Sequence, residues 1–318
     1  MVARLQQMMS LALAAGVLAW AGYFVARGRP VLALGGAFLI GVGYALILGL
    51  EFVLLGLFGR SESIPPAPAR QLLSAWLKEL IHTPIVFGWR QPFREAAEPD
   101  AISATSPEKR RGVVLVHGFL CNRAIWNPWM VMLRRRGIPF AAVNLEPPWS
   151  PLDDLVPIVG HAVDRLLVAT GLPPVIVAHS MGGLVARAWH AEPANAARAA
   201  RIVTIATPHH GTWLGRIGWT PNTRQMRCGS DWLQALVARE APRTYRKFIC
   251  YYGNCDNIVF PTQSATLEGA DNRHLDVTPH VQMVYHPLVL TEVLRVASGG
   301  AVEQDRTPPV PPVRAPEY

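Results

Sequence analysis

The stretch that most limits how this chain can fold runs from Pro174 to Leu184 and reads Pro-Val-Ile-Val-Ala-His-Ser-Met-Gly-Gly-Leu. Val175, Ile176 and Val177 read as a fully buried strand, with no polar face to offer to solvent. The chain then passes through Ala178, His179, Ser180, Met181 and Gly182 into a helix-forming run from Leu184 to Trp189. A strand that feeds a helix through so short a turn needs small residues two before and two after the central one. Ala178 and Gly182 supply them. The serine between them stands clear of the backbone, and the Met181 N–H points into the same space at the start of the helix. This is the geometry of a nucleophile elbow. Three other stretches separate it from a plain strand–turn–helix carrying an incidental serine.

From Gly112 onward, short apolar runs alternate with helical patterns. Residues 113–116, 139–143, 174–178, 201–205 and 248–252 read as strands, with a further short one near 274–277. Helices are expected over 126–136 and 155–170, after Ser180, and from about Pro287. Repeated β–α alternation predicts a mainly parallel sheet with helices on both faces. Sites in such sheets lie at the carboxyl ends of the strands, which is where Ser180 falls.

Half of the 318 residues are hydrophobic, ample for a core, but they are spread unevenly. No charge lies between Arg4 and Arg27, and none between Arg29 and Glu51. Each run matches the ~20 apolar residues that span a bilayer as a helix. Two membrane helices are expected, at 6–26 and 31–57, joined by Arg27-Gly28-Arg29-Pro30. The alternative for the first is a cleaved signal peptide ending near Ala19-Trp20-Ala21, which still leaves the second as an anchor. Arginines on both flanks leave the orientation open. Residues 61–70 read as a linker. Leu72, Leu73, Trp76, Leu77 and Leu80 then recur at helical spacing, an amphipathic helix that packs on the domain or lies on the bilayer. Residues 94–111 read as a loop and the proline-rich run from Thr307 to Pro316 as disordered. The expected organisation is a membrane hairpin at 1–60, a linker with the amphipathic helix at 61–111, a β–α domain at 112–298 and a tail at 299–318. Because the apolar runs end before the alternation begins, the β–α domain is expected to work without them.

The formal charge of +8 comes mostly from arginine. No nucleic-acid motif accompanies it, so an anionic lipid surface is the expected partner and nucleic acid is not. Cys121, Cys228, Cys250 and Cys255 lack metal-ligand spacing and neither establish nor exclude disulfides.

The first supporting stretch is Val114-Leu115-Val116-His117-Gly118-Phe119, a strand ending in a loop whose Phe119 N–H can face the Met181 N–H. Two donors aimed at one point form an oxyanion hole, each worth about 10²–10³ in rate. His117 reads as a residue that orients this loop. The second is the strand end at 248–252 followed by Gly253-Asn254-Cys255-Asp256, which offers Asp256 to a histidine; Asp231 and Asp276 are weaker rivals. The third is Thr278-Pro279-His280. The chain order Ser180, Asp256, His280 fits a Ser–Asp–His triad. His274 reads as a strand residue and His286 as a cap of the last helix, while His209 and His210 precede the acid in sequence.

These segments, with Ala206-Thr207-Pro208-His209-His210-Gly211-Thr212, resemble the α/β-hydrolases of the bacterial lipase/esterase kind over about residues 112–298. Pro279 departs from that pattern, since relatives usually have glycine before the histidine. The resemblance implies an α/β-hydrolase fold, with Ser180, Asp256 and His280 catalytic and Phe119 and Met181 forming the oxyanion hole; it leaves unexplained the two-helix transmembrane hairpin that the apolar runs predict ahead of it. It also implies an enzyme that acts on an ester or lipid through an acyl-enzyme and needs no metal or cofactor, while the apolar runs place it at a membrane, expected to be a bacterial inner membrane. A lipid acyltransferase or a thioesterase would use the same intermediate, whereas an inactive interaction protein would normally have lost a triad member. The small cap insertion, at about 211–246, carries Trp213, Leu214, Trp219, Trp232 and Leu233, which either line an acyl pocket or pack the cap on the core.

Overall fold

The computed structural model describes residues 1–61, 64–103, 110–240 and 244–299. The proline-rich run read as disordered lies outside them. Two long apolar helices come first, α1 (Val2–Val25) and α2 (Pro30–Phe58). They form a hairpin, fastened near its tip by the Trp20 indole N–H donating to the Leu32 carbonyl at 2.8 Å. Helix α3 (Ala69–Thr83) continues through a π-helical turn, Pro84–Arg90, into the short α4 (Gln91–Phe93).

The sheet has six parallel strands: β1 (Val113–Val116), β2 (Phe140–Ala142), β3 (Val175–His179), β4 (Arg201–Ile205), β5 (Phe248–Tyr252) and β6 (Asp271–His274). Their order is β2-β1-β3-β4-β5-β6. The connecting helices are α5 (Asn127–Arg135), α6 (Leu152–Thr170), α7 (Met181–Ala191), α8 (Pro221–Gln225), α9 (Asp231–Arg239) and α10 (Pro287–Ala297). Period-2 alternation sends Leu115, Val177, Val203 and Ile249 to the face covered by α5 and α10. It sends Val116, Ile176, Ala178 and Ile202 to the face covered by α6 and α7. Both faces are dry, which is why the strands read as continuous apolar runs and not as alternating ones.

The last strand differs from its expectation. It spans Asp271–His274 and ends at His274, where the sequence suggested it would begin. Its residues, Asp-Asn-Arg-His, are polar and only half-buried because β6 is an edge strand paired on one side. An apolar pattern could not reveal it.

One face of the amphipathic helix takes the expected packing role. Ala75 and Glu79 are buried, and Leu72, Trp76 and Leu80 pack in the same cluster as Phe260 and Cys255. Leu73, Leu77, Ile81, Ile85 and Trp89, spaced four apart, form an exposed apolar stripe along α3 and the turn after it. The last turns of α2 reach the same place. Leu48, Phe52 and Leu55 are buried in the cluster of Phe260 and Cys255, and Phe58 stacks on Trp213 with ring centroids 4.3 Å apart.

Candidate active site

β1 and β3 are neighbours, with Val116 opposite Ala178, so the loops that leave their carboxyl ends meet. Strand order reverses at β1, and the crevice beside such a reversal is where open α/β sheets bind ligands. Ser180 sits there between β3 and α7, 8 % exposed, with φ 53° and ψ −129°. This is a backbone state that a side chain adopts only where its surroundings impose it. The surroundings here are tight. A Cβ on Gly182 would stand 2.4 Å from the His117 carbonyl oxygen, and one on Gly118 would stand 2.9 Å from Ser180 Cβ. The Ser180 N–H is tied to the Ile205 carbonyl at 2.8 Å. Its Oγ makes no hydrogen bond among the described residues.

Asp256 follows β5. Its Oδ1 accepts the amides of Ile258 and Val259, each at 2.9 Å, and its two oxygens lie 2.9 and 3.1 Å from His280 Nδ1. Those backbone bonds lock the carboxylate, which locks the tautomer: Nδ1 carries the proton and Nε2 is the free base. Burial disfavours charge on His280. The Asp256 carboxylate, its hydrogen bond and the charges of Glu79 and Glu51 outweigh that and hold the imidazole above its ordinary value.

The ring of His179 packs on His280 with centroids 4.6 Å apart, and His179 Nε2 lies 3.3 Å from the His280 carbonyl oxygen. The base is therefore in contact with the residue preceding Ser180. Burial and the neighbouring His280 push His179 well below the usual histidine range, so it stays neutral. Sequence reasoning passed over this support, although its position beside Ser180 was the available signal.

Phe119 stands in the loop after β1 and Met181 is the first residue of α7. Neither amide has an acceptor among the described residues; Met181 follows Ser180 directly, and Gly118, next to Phe119, lies against Ser180 Cβ. His117 fastens that loop. Its Nε2 accepts the Leu145 N–H and its Nδ1 donates to the Gly118 carbonyl, both at 2.9 Å, and burial drops it to about 4. The rival groups lie elsewhere. His274 bridges Asp276 and the Asn254 amide, at 3.0 and 3.3 Å. His286 caps α10 by accepting the Leu288 N–H, and Asp231 is in the first turn of α9. His209 is buried against Thr204, 3.0 Å away, beneath the buried Arg187–Glu240 ion pair. His210 is held by the Ser264 carbonyl.

The five apolar cap residues do not form one wall. Trp213 and Leu214 join the cluster of α2 and α3. Trp232 and Leu233 pack on the α6–α7 face, and Trp219 is 79 % exposed. No disulfide joins the four cysteines.

A parallel sheet carrying a serine on a strained strand-to-helix turn, with a histidine–aspartate pair from the last two strands, defines the class of α/β hydrolases. A family model described as the alpha/beta hydrolase family matches residues 113–316, and the chain belongs to that family. No curated protein sequence matches it. Among solved structures, the mature lipase BlEst2 of Bacillus licheniformis is similar, with a TM-score of 0.53 and 16 % identity over 62 % of this chain and 96 % of that one. Its propeptide form gives 0.56 and 15 % over 66 % and 55 %. Lipase B of Aspergillus fumigatus gives 0.51 and 19 % over 60 % and 54 %. These likenesses establish a lipase-like α/β-hydrolase fold.

Proposed function

We propose that this chain is a membrane-anchored serine hydrolase of carboxylic esters. The observation that carries the reading is the strained Ser180 beside a histidine whose Nδ1 is held by Asp256. In the proposed cycle, Nε2 of His280 takes the hydroxyl proton as Ser180 Oγ attacks the ester carbonyl. The tetrahedral oxyanion is held by the Phe119 and Met181 amides, and the helix α7 that Met181 opens adds its positive end. The C–O bond breaks as the imidazolium returns its proton to the leaving alcohol. Water, deprotonated by the same Nε2, then releases the acid and regenerates the serine. His280 must tighten onto Oγ when substrate binds, as such bonds often do only in the complex.

Membrane anchoring rests on the hairpin. Beyond the parts that touch the domain, α1 leaves residues 8–25 clear and α2 residues 30–43, roughly 27 and 21 Å at the rise of an α-helix, against a hydrocarbon core about 30 Å thick. The exposed stripe from Leu73 to Trp89 suits the interface beside it. The start of α1 and the end of α2 both touch the domain, so the hairpin tip lies on the opposite side of the membrane. The test is covalent labelling. A fluorophosphonate should modify the full chain at Ser180, and Ser180→Ala should abolish both the label and the hydrolysis of a p-nitrophenyl ester. An active wild type left unlabelled at Ser180 refutes the assignment.

A further inference from the structure

The loop that carries His280 is held mostly from outside the sheet. Glu79 of α3 is 1 % exposed, and its Oε1 accepts the Val281 N–H at 3.0 Å. Its Oε2 is buried with no partner among the described residues. Lys78, one residue earlier, donates from Nζ to the Val277 carbonyl at 2.9 Å, so α3 grips both ends of residues 277–281. Glu51 of α2 reaches the same loop through one intermediary. Its Oε2 accepts from Asn257 Nδ2 at 2.6 Å, and Asn257 Oδ1 accepts the His280 N–H at 3.2 Å.

The backbone around the base is thus pinned on every side: His280 N–H by Asn257, His280 C=O by His179, and Val281 N–H by Glu79. These bonds fix the two peptide planes that flank the His280 Cα, and with them the direction in which the imidazole leaves the backbone. A helix that only had to rest on the domain would be served better by an apolar residue, because burying a half-satisfied carboxyl is costly. Burial pushes the Glu79 carboxyl up to about 7 against the help of the Val281 amide.

We propose that Glu79 directly, and Glu51 through Asn257, are positioning residues for His280, so that the N-terminal helices are a working part of the active site as well as an anchor. This rests on the reading of Ser180, His280 and Asp256 given above. The test uses the full chain in detergent micelles, with p-nitrophenyl ester turnover and the rate of fluorophosphonate labelling at Ser180. Glu79→Leu should lower kcat about ten- to a hundredfold with KM nearly unchanged, the size of loss that a small misplacement of a reacting group produces. Glu79→Gln, which keeps an acceptor for the Val281 amide, should recover most of it. Asn257→Ala should also lower kcat, and adding Glu51→Leu to it should change little further when kcat is read at a pH well above the His280 limb, where the charge of Glu51 no longer decides how much of the base is neutral, because Glu51 holds the His280 backbone only through Asn257. The downfield proton resonance of the His280–Asp256 pair should move in Glu79→Leu and return in Glu79→Gln.

Wild-type kcat in Glu79→Leu overturns the proposal. So does a pair of losses for Glu51→Leu and Asn257→Ala that multiply in the double variant at that pH. A loss that tracks only the fraction of folded protein, with labelling of the folded fraction at the wild-type rate, overturns it as well. Should Glu79→Leu fail to fold, Glu79→Gln and the Glu51–Asn257 cycle decide the question. A wild type that is active but unlabelled at Ser180 fails the triad reading itself, which is a distinguishable result.

Discussion

Replacing Ser180 by glycine and by alanine separates the chemistry of the elbow from its strain. Alanine removes Oγ and keeps Cβ. Because Oγ makes no hydrogen bond among the described residues, Ser180→Ala should melt close to the wild type. Glycine also removes the Cβ that makes φ 53°, ψ −129° unfavourable. A residue held in so sparse a region costs about 1–3 kcal/mol. Against this, glycine gives the unfolded chain extra freedom worth about 0.5–1 kcal/mol. The balance favours glycine over alanine by roughly 0.5–2 kcal/mol, or a melting temperature higher by roughly 1–8 °C for a domain of this size. Both variants should lose on the order of 10⁶ in turnover, as loss of a triad nucleophile does elsewhere. Thermal scans of the two proteins in one detergent, with p-nitrophenyl ester assays alongside, measure both quantities. A glycine variant that melts at or below the alanine variant refutes the argument from strain. Activity above about a tenth of wild type in either removes Ser180 as the nucleophile.

Gly182→Ala should destabilise by about 1–3 kcal/mol and lower turnover, because its Cβ would meet two backbone oxygens, of His117 and Val116, at 2.4 and 2.9 Å; denaturant titration and kcat check this. Since His280 acts as a base when neutral and is held above its ordinary value of 6.5, kcat/KM should fall as pH drops through a limb above 6.5. Asp256→Asn removes the main group that raises His280, so the limb should move to lower pH while kcat drops by about 10⁴, as in other triads; an unmoved limb would assign it to another group. Glu240→Ala leaves the buried Arg187 guanidinium without its bidentate partner and should cost about 3–5 kcal/mol, read from chemical denaturation. His274→Ala and His286→Ala should keep most of their activity, and His286→Ala should lose only about 1 kcal/mol of capping; a dead variant at either position would displace His280 as the base.

The sheet was legible because five of its strands are buried on both faces and therefore apolar throughout. The elbow was legible because a tight turn around a serine tolerates few residue types. β6 was misplaced by a few residues because an edge strand half in solvent carries no such constraint; Asp271, Asn272 and Arg273 read as loop. Within the candidate site, Asp256 and His280 could be picked out by chain order and strand ends alone, and the structure pairs them directly. Pro279 departs from the glycine usual before the histidine. Val277, two residues before it, takes φ 47°, and His280 lies 2.9 Å from Asp256.

Glu51 and Glu79 escaped sequence reasoning for a different reason. Glu51 reads as the charge that ends an apolar run, and Glu79, beside Lys78, reads as the polar side of an amphipathic helix. Both readings are sound as local physics. What overrides them is that α2 and α3 converge on the loops after β5 and β6, a contact between segments some two hundred residues apart. The same contacts alter the expectation that residues 1–60 are dispensable. Cutting there would strip Leu48, Phe52 and Leu55 from Phe260 and Cys255 and leave Asn257 without its acceptor, beside the loop that carries the base. A boundary drawn where the composition changes marks where the membrane-apolar sequence stops. On the proposed reading it does not mark where the active site stops, because Glu51, which holds Asn257, lies on α2, on the other side of that line.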